Sequence, residues 1–245
     1  MNICEFGDSR HPHILYIPGL FMSGACLQSI ASRMQQYHFV CVTLDGYDSS
    51  GEEFPGLEQE CTRIARWLRE KNFISFELVM GMSLGTIFAM ELAKCEELTI
   101  RKLFLDGAVN FYTSGAAFFE RMAMRHIFSG YIRKASDREK MIANLKKNFI
   151  GNWPEEMQRC MSGLSENSMK AMIEVLVNYR IGPGVEQPIY CLYGSRETNM
   201  QVNVHLIRRY YPNAEVHIVK GYNHLVYANQ QPDAYASLIQ AFLTA

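Results

Sequence analysis

Ser83 stands in Gly81-Met82-Ser83-Leu84-Gly85, a G-x-S-x-G pentapeptide whose serine can attack a carbonyl carbon. Composition alone yields roughly 0.08 such pentapeptides in a chain like this one, so the flanking residues carry the argument. Phe76-Glu77-Leu78-Val79-Met80, just before it, reads as a buried strand. Leu84 to Lys94, rich in Ala, Leu, Met and Ile, reads as a helix. A sharp strand-to-helix turn holds the hydroxyl away from the backbone, and its glycines relieve the crowding there. A serine hydroxyl becomes a useful nucleophile once a base takes its proton. His224, in Gly221-Tyr222-Asn223-His224, follows a late strand and a glycine and precedes the last helix. Imidazole is suited to accept that proton and return it to a leaving group, because its unperturbed pKa lies near neutrality. His11, His13, His38, His126, His205 and His217 read as surface or satisfied core residues. A carboxylate is needed to fix the imidazole tautomer and stabilise the imidazolium. Glu197, in Gly194-Ser195-Arg196-Glu197, and Asp106, at the end of an earlier strand, are the candidates. Order and spacing favour Glu197, and Asp106 also reads as an aspartate capping a turn.

The elements that must hold these residues alternate between strand and helix. Strand character is read at His13 to Ile17, Phe39 to Leu44, Lys102 to Asp106, Ile189 to Tyr193 and Val216 to Val219. Helical periodicity is read at Ala25 to Gln36, Leu57 to Lys71, Val202 to Tyr211 and Pro232 to Leu243. On the second helix Leu57, Cys61, Ile64, Ala65 and Leu68 share one face, with Glu58, Arg63, Arg66 and Glu70 outside it. Alternation of this kind predicts an α/β fold, a mostly parallel sheet flanked by helices. Ligands of such sheets bind beyond the carboxyl ends of the strands, which is where Ser83, Glu197, His224 and the Pro18-Gly19-Leu20-Phe21 turn all fall.

The order serine, acid, histidine at three strand ends resembles the α/β hydrolases, and the resemblance extends over nearly the whole chain. It implies an α/β-hydrolase fold with an inserted helical lid, Ser83, Glu197 and His224 as the catalytic triad, and an oxyanion hole made by the backbone N–H groups of Leu84 and Leu20. Glutamate is an accepted acid in the family, and some branches take the acid from the place of Asp106. Two loops depart from the pattern. The oxyanion loop commonly opens His-Gly and here opens Pro18-Gly19, which changes how that loop is braced. The turn after the strand at 39–44 commonly reads G-H-G-x-S and here reads Gly46-Tyr47-Asp48-Ser49-Ser50.

Between Asn110 and Val185 the alternation stops. Several helices are expected there, interrupted near Gly130, Gly151-Asn152-Trp153-Pro154 and Gly163 and closed by Gly182-Pro183-Gly184. The expected organisation is a core of residues 1–109 and 186–245 with a lid at 110–185. The lid segment carries Phe111, Tyr112, Phe118, Phe119, Phe128, Tyr131, Phe149, Trp153 and Tyr179, and half of the 14 methionines: Met122, Met124, Met141, Met157, Met161, Met169 and Met172. These residues suit either an apolar acyl pocket or ordinary packing of the lid on the core. Its small excess of basic side chains is too slight to indicate an anionic substrate.

A 245-residue chain with 48% hydrophobic and 20% charged residues reads as a soluble globular protein. A net charge of −1 gives no electrostatic basis for a nucleic-acid partner or an anionic membrane surface. No apolar run approaches the length of a membrane-spanning helix, and Met1 to Asp8 lacks the pattern of a signal peptide. Seven scattered cysteines without a C-x-x-C pair point to free thiols and a reducing, cytoplasmic compartment. Neither a metal nor an organic cofactor is implied, since phosphate loops and dinucleotide fingerprints are absent. The expected activity is hydrolysis of a carboxylic ester or related acyl compound with an apolar group, through an acyl-enzyme on Ser83. The alternatives are a thioesterase, a lactonase, a C–C bond hydrolase, a lyase or transferase, or a weakly catalytic receptor for a small molecule on the same fold.

Overall fold

The computed structural model describes residues 1–47, 52–108, 117–198 and 200–245. Asp48 to Ser50 of the altered turn, and Asn110, Phe111 and Tyr112 of the lid segment, lie outside them. The strands are β1 (Asn2–Phe6), β2 (His13–Ile17), β3 (His38–Thr43), β5 (Leu78–Met82), β7 (Leu103–Asp106), β8 (Ile189–Gly194) and β9 (Glu215–Val219). They form one sheet in the order β1-β3-β2-β5-β7-β8-β9, with β1 antiparallel to β3 and every other pair parallel. A separate parallel pair, β4 (Ser75–Phe76) and β6 (Thr99–Ile100), staples the approaches to β5 and β7. The expected mostly parallel sheet flanked by helices is present.

The inner strands are buried throughout because helices cover both faces. Leu15, Ile17, Val40, Val42, Leu103 and Leu105 face α2 (Leu57–Glu70) and α3 (Leu84–Leu92). Ile14, Tyr16, Phe39, Cys41, Met80 and Phe104 face α1 (Gln28–Ala31) and α10 (Pro232–Thr244). On α2 the predicted apolar face is buried at Ile64, Ala65 and Leu68, but so is Glu60, whose Oε1 accepts the Asp45 N–H at 2.9 Å. His13 and His38 meet through Nδ1 at 3.1 Å, and His38 Nε2 lies 3.0 Å from Glu5.

Several elements differ from expectation. Strand β1 carries no clear strand pattern in the sequence, because an edge strand is covered on fewer sides and its residues are only half-buried or exposed. The helix expected over 25–36 is a 3-10 turn at Gly24–Leu27 followed by the single turn of α1, after which Arg33 and Met34 donate to carbonyls three residues back. Short α9 (Val226–Gln230) follows directly on the His224 loop, and α8 is Met200–Tyr210.

Between β7 and β8 run α4 (Ala117–Ala135), α5 (Arg138–Leu145), α6 (Trp153–Gly163) and α7 (Glu166–Asn178). Helix α4 continues through Gly130, where a side chain would meet open space; the interruptions near 151 and 163 are helix boundaries. The start of α6 is bound to the core. Trp153 Nε1 donates to the Cys26 carbonyl at 2.6 Å, Asn152 donates to Ala25 at 2.8 Å, and Ser23 donates to Glu156 at 2.5 Å. Asn229 on α9 accepts from the Ile150 N–H and donates to the Ile150 carbonyl.

Candidate active site

Ser83 closes β5 with φ +50° and ψ −116°, a backbone conformation that L side chains rarely adopt. Its N–H donates to the Asp106 carbonyl at 2.8 Å, and its own carbonyl accepts from Thr86 N–H and Oγ1. The turn is too tight for side chains beside it. A Cβ on Gly81 would lie 2.5 Å from the Gly85 carbonyl oxygen, and one on Gly85 would strike the Ile17 carbonyl. The pentapeptide's glycines are therefore required by close backbone approach.

Glu197 lies just beyond β8, with its side chain only 5% exposed. The Gly194 N–H donates to its Oε1 at 2.5 Å, and Oε2 lies 2.7 Å from His224 Nδ1. The Arg196 N–H donates to the Tyr222 carbonyl, which ties the acid turn to the histidine loop. A carboxylate against Nδ1 accepts a hydrogen bond from the Nδ1–H, the tautomer that leaves Nε2 as the lone-pair nitrogen. Ser83 and His224 line one cavity, and no hydrogen bond joins them among the described residues.

Asp106 does not hydrogen-bond to His224. Its carboxyl is 3% exposed with Oδ2 unpartnered, and burial, reinforced by the charge of Glu197, pushes its pKa well above the usual range. Of the two candidate acids, the fold brings Glu197 onto the imidazole and leaves Asp106 buried beside it without a contact to the ring. Gly107, which sequence reasoning passed over, packs against the same ring. It has φ +60°, and a Cβ there would lie 2.5 Å from His224 Cε1. The Asp-Gly step at a strand end was the available signal.

Leu20 and Phe21 lie in the loop that follows β2 and opens with Pro18-Gly19. The Met22 N–H returns to the Gly19 carbonyl at 3.2 Å, and Phe21 sits at φ +63°. Among the described residues, the N–H groups of Leu20 and Leu84 have no protein acceptor. The Phe21 N–H donates to the Tyr47 hydroxyl at 2.8 Å.

The cavity holding Ser83 and His224 has a volume of about 390 Å³. Leu20, Phe21, Met22 and Leu225 line it from the core; Met124, Phe128, Leu145, Trp153, Met161 and Leu176 line it from α4 to α7. Its polar additions are Tyr131, Asn144 and Asn148. The seven methionines between 122 and 172 divide by position: Met124, Met157 and Met161 line the cavity, Met141, Met169 and Met172 are buried in the core, and Met122 is exposed. Phe118 and Phe119 are exposed too, and Tyr179 hydrogen-bonds to Glu91. A larger hollow of about 590 Å³ lies between α2 and α3 and includes none of Ser83, Glu197 and His224. Among the described residues, no group of three His, Cys, Asp or Glu side chains is placed to hold a metal ion, and no helix is long and apolar enough to cross a membrane.

No protein-family model and no curated protein matches the chain in sequence. Solved structures do match it over its length. A protein of Desulfitobacterium hafniense assigned to the α/β hydrolases superposes with a TM-score of 0.77 at 18% identity, covering 99% of this chain and 100% of that one. A marine microorganism esterase gives 0.77 at 18% identity, covering 98% of each chain. E-2-(acetamidomethylene)succinate hydrolase gives 0.75 at 16% identity, covering 99% and 94%.

Proposed function

The chain has the α/β-hydrolase fold, and on it we propose a serine hydrolase that cleaves a carboxylic ester or related acyl compound with an apolar acyl group. The observation that carries this reading is the 2.7 Å contact of Glu197 with His224 Nδ1 at the wall of an apolar cavity that also holds Ser83.

His224 Nε2 takes the Ser83 hydroxyl proton as Oγ attacks the acyl carbon, and Glu197 stabilises the resulting imidazolium. The carbonyl oxygen becomes an oxyanion, held by the N–H groups of Leu84 and Leu20. Each such donor contributes about 3–4 kcal/mol in the transition state. Collapse breaks the bond to the leaving alcohol, which takes its proton from the imidazolium. Water, deprotonated by His224, then attacks the acyl-enzyme by the same route and releases the acid and free Ser83. Helices α4 to α7 act as a lid that receives the acyl chain among Met124, Phe128, Met157, Met161 and Leu176. No metal or organic cofactor takes part in these steps.

Hydrolysis of p-nitrophenyl esters of increasing acyl length, for the wild type beside Ser83→Ala, tests the reading. Turnover that peaks at one chain length and disappears in Ser83→Ala supports it. Turnover unchanged in Ser83→Ala overturns it. No turnover at any length rejects the ester reading in favour of C–C or lactone chemistry or a receptor.

A further inference from the structure

The Phe21 backbone adopts a conformation that its residue type disfavours, and its N–H meets one buried hydroxyl. Gly19 to Met22 form a turn closed by the Met22 N–H on the Gly19 carbonyl. A positive φ at its third residue, and not at Leu20, makes it type II. That position favours glycine or asparagine, and here it carries phenylalanine. Tyr47 is 1% exposed, and its phenol oxygen accepts the Phe21 N–H at 2.8 Å. Burial pushes the phenol pKa well up, so the acceptor is a neutral hydroxyl. Tyr47 lies in the segment after β3 where the family pattern has histidine, and the loop it reaches opens with Pro18 in place of histidine.

We propose that Tyr47 is a positioning residue for the oxyanion hole: by clamping the Phe21 N–H, its hydroxyl holds the Leu20–Phe21 peptide in the type II orientation and so fixes the turn from which the Leu20 N–H, on the preceding Gly19–Leu20 peptide, reaches the oxyanion formed on Ser83. Relaxation of Phe21 to negative φ requires that peptide to turn over, as between type II and type I turns. The Leu20 carbonyl would be reoriented with it, loosening the turn that presents the Leu20 N–H. So would the Phe21 ring, which packs edge-on against Phe128 at 5.5 Å and Tyr131 at 6.2 Å on α4. The residue acts through Leu20 and does not line the cavity. This inference rests on the serine-hydrolase reading above.

Tyr47→Phe keeps the ring and removes the hydroxyl. On the p-nitrophenyl ester of preferred length, kcat is expected to fall by about 10- to 100-fold, part of the loss seen when an oxyanion donor is deleted outright. KM should stay near wild type. Inhibition by an alkyl trifluoromethyl ketone, which forms an oxyanion on the serine, should weaken in the same proportion, because both report transition-state stabilisation. A merely structural role would change Tm, or raise KM, without this parallel loss. The Phe21 amide of the wild type should be protected from hydrogen exchange, a reading that needs no variant. Wild-type turnover with kcat and ketone affinity unchanged in Tyr47→Phe overturns the inference alone, as does an unprotected Phe21 amide. A wild type whose turnover survives Ser83→Ala overturns the hydrolase reading, and the inference falls with it.

Discussion

Gly107→Ala places a single methyl group against the proposed base, and its effect can be worked from distances. The added Cβ would lie 2.5 Å from His224 Cε1, 2.7 Å from Nδ1 and 3.3 Å from Glu197 Oε2. Non-bonded carbons settle at about 3.5–4.0 Å, so the imidazole must retreat by about 1 Å. That retreat breaks the 2.7 Å contact with Glu197 and turns Nε2 away from Ser83. A displacement of about 1 Å at reacting groups costs on the order of 100-fold in rate. The φ of +60° adds backbone strain, about 1–2 kcal/mol for an L residue in the left-handed region. In a chain of this size each kcal/mol lowers Tm by about 2–4 °C, giving a fall of roughly 2–8 °C. The assay is ester hydrolysis with a thermal melt on the same preparation. The expected result is a kcat about 100-fold lower, KM near wild type and a folded protein with reduced Tm. A kcat within about threefold of wild type would refute the reasoning, since a base displaced by that distance cannot retain its rate.

Other consequences follow from the same site. Glu197→Gln should lower kcat on the order of 10⁴-fold, as loss of a triad acid does, while Asp106→Asn should stay close to wild type; the reverse ranking in ester hydrolysis would make Asp106 the acid. Asp106 also sets a pH dependence of stability. Its folded pKa is raised by burial and then by Glu197, against an unfolded value of about 3.9. The native state therefore keeps a proton that the unfolded state releases. That contribution is complete below about pH 3.9 and is lost as pH rises toward the folded pKa. Melting curves should show the Tm of Asp106→Asn gaining on wild type between about pH 4 and 7; a constant offset would contradict the shift. Trp153 lines the cavity, while Trp67, the other of the two tryptophans, stacks on Phe73 elsewhere. Titration with an apolar boronic acid should change tryptophan emission in wild type and Trp67→Phe but not in Trp153→Phe, and an equal response in all three would place binding outside this cavity.

The local features of this protein were legible in its sequence because they arise from neighbours along the chain. Continuous apolar runs marked β3 and β8, and the apolar spacing of α2 marked its buried face. The close approach around Ser83 was legible in Gly81 and Gly85. The alternation of strand and helix was enough to predict a mostly parallel sheet and to direct attention to strand ends. Local signals failed where coverage or contact came from elsewhere. β1 is an edge strand with half-exposed residues, and Glu60 is buried on a helix face because the Asp45 N–H meets it there. Apolar residues of 110–185 looked alike in sequence, yet Met161 lines the cavity and Met172 fills the core. Asp106 ends one strand and Glu197 follows another, and those strands, β7 and β8, are adjacent in the sheet. Sequence could name both carboxylates; only the path of the Glu197 turn, fastened to the Tyr222 carbonyl, decided which one touches His224. The packing of Gly107 on that ring and the hold of Tyr47 on Phe21 were decided in the same way. Periodicity and turn chemistry are properties of a few consecutive residues, whereas these contacts join segments that meet only when the sheet assembles and its loops close over one end.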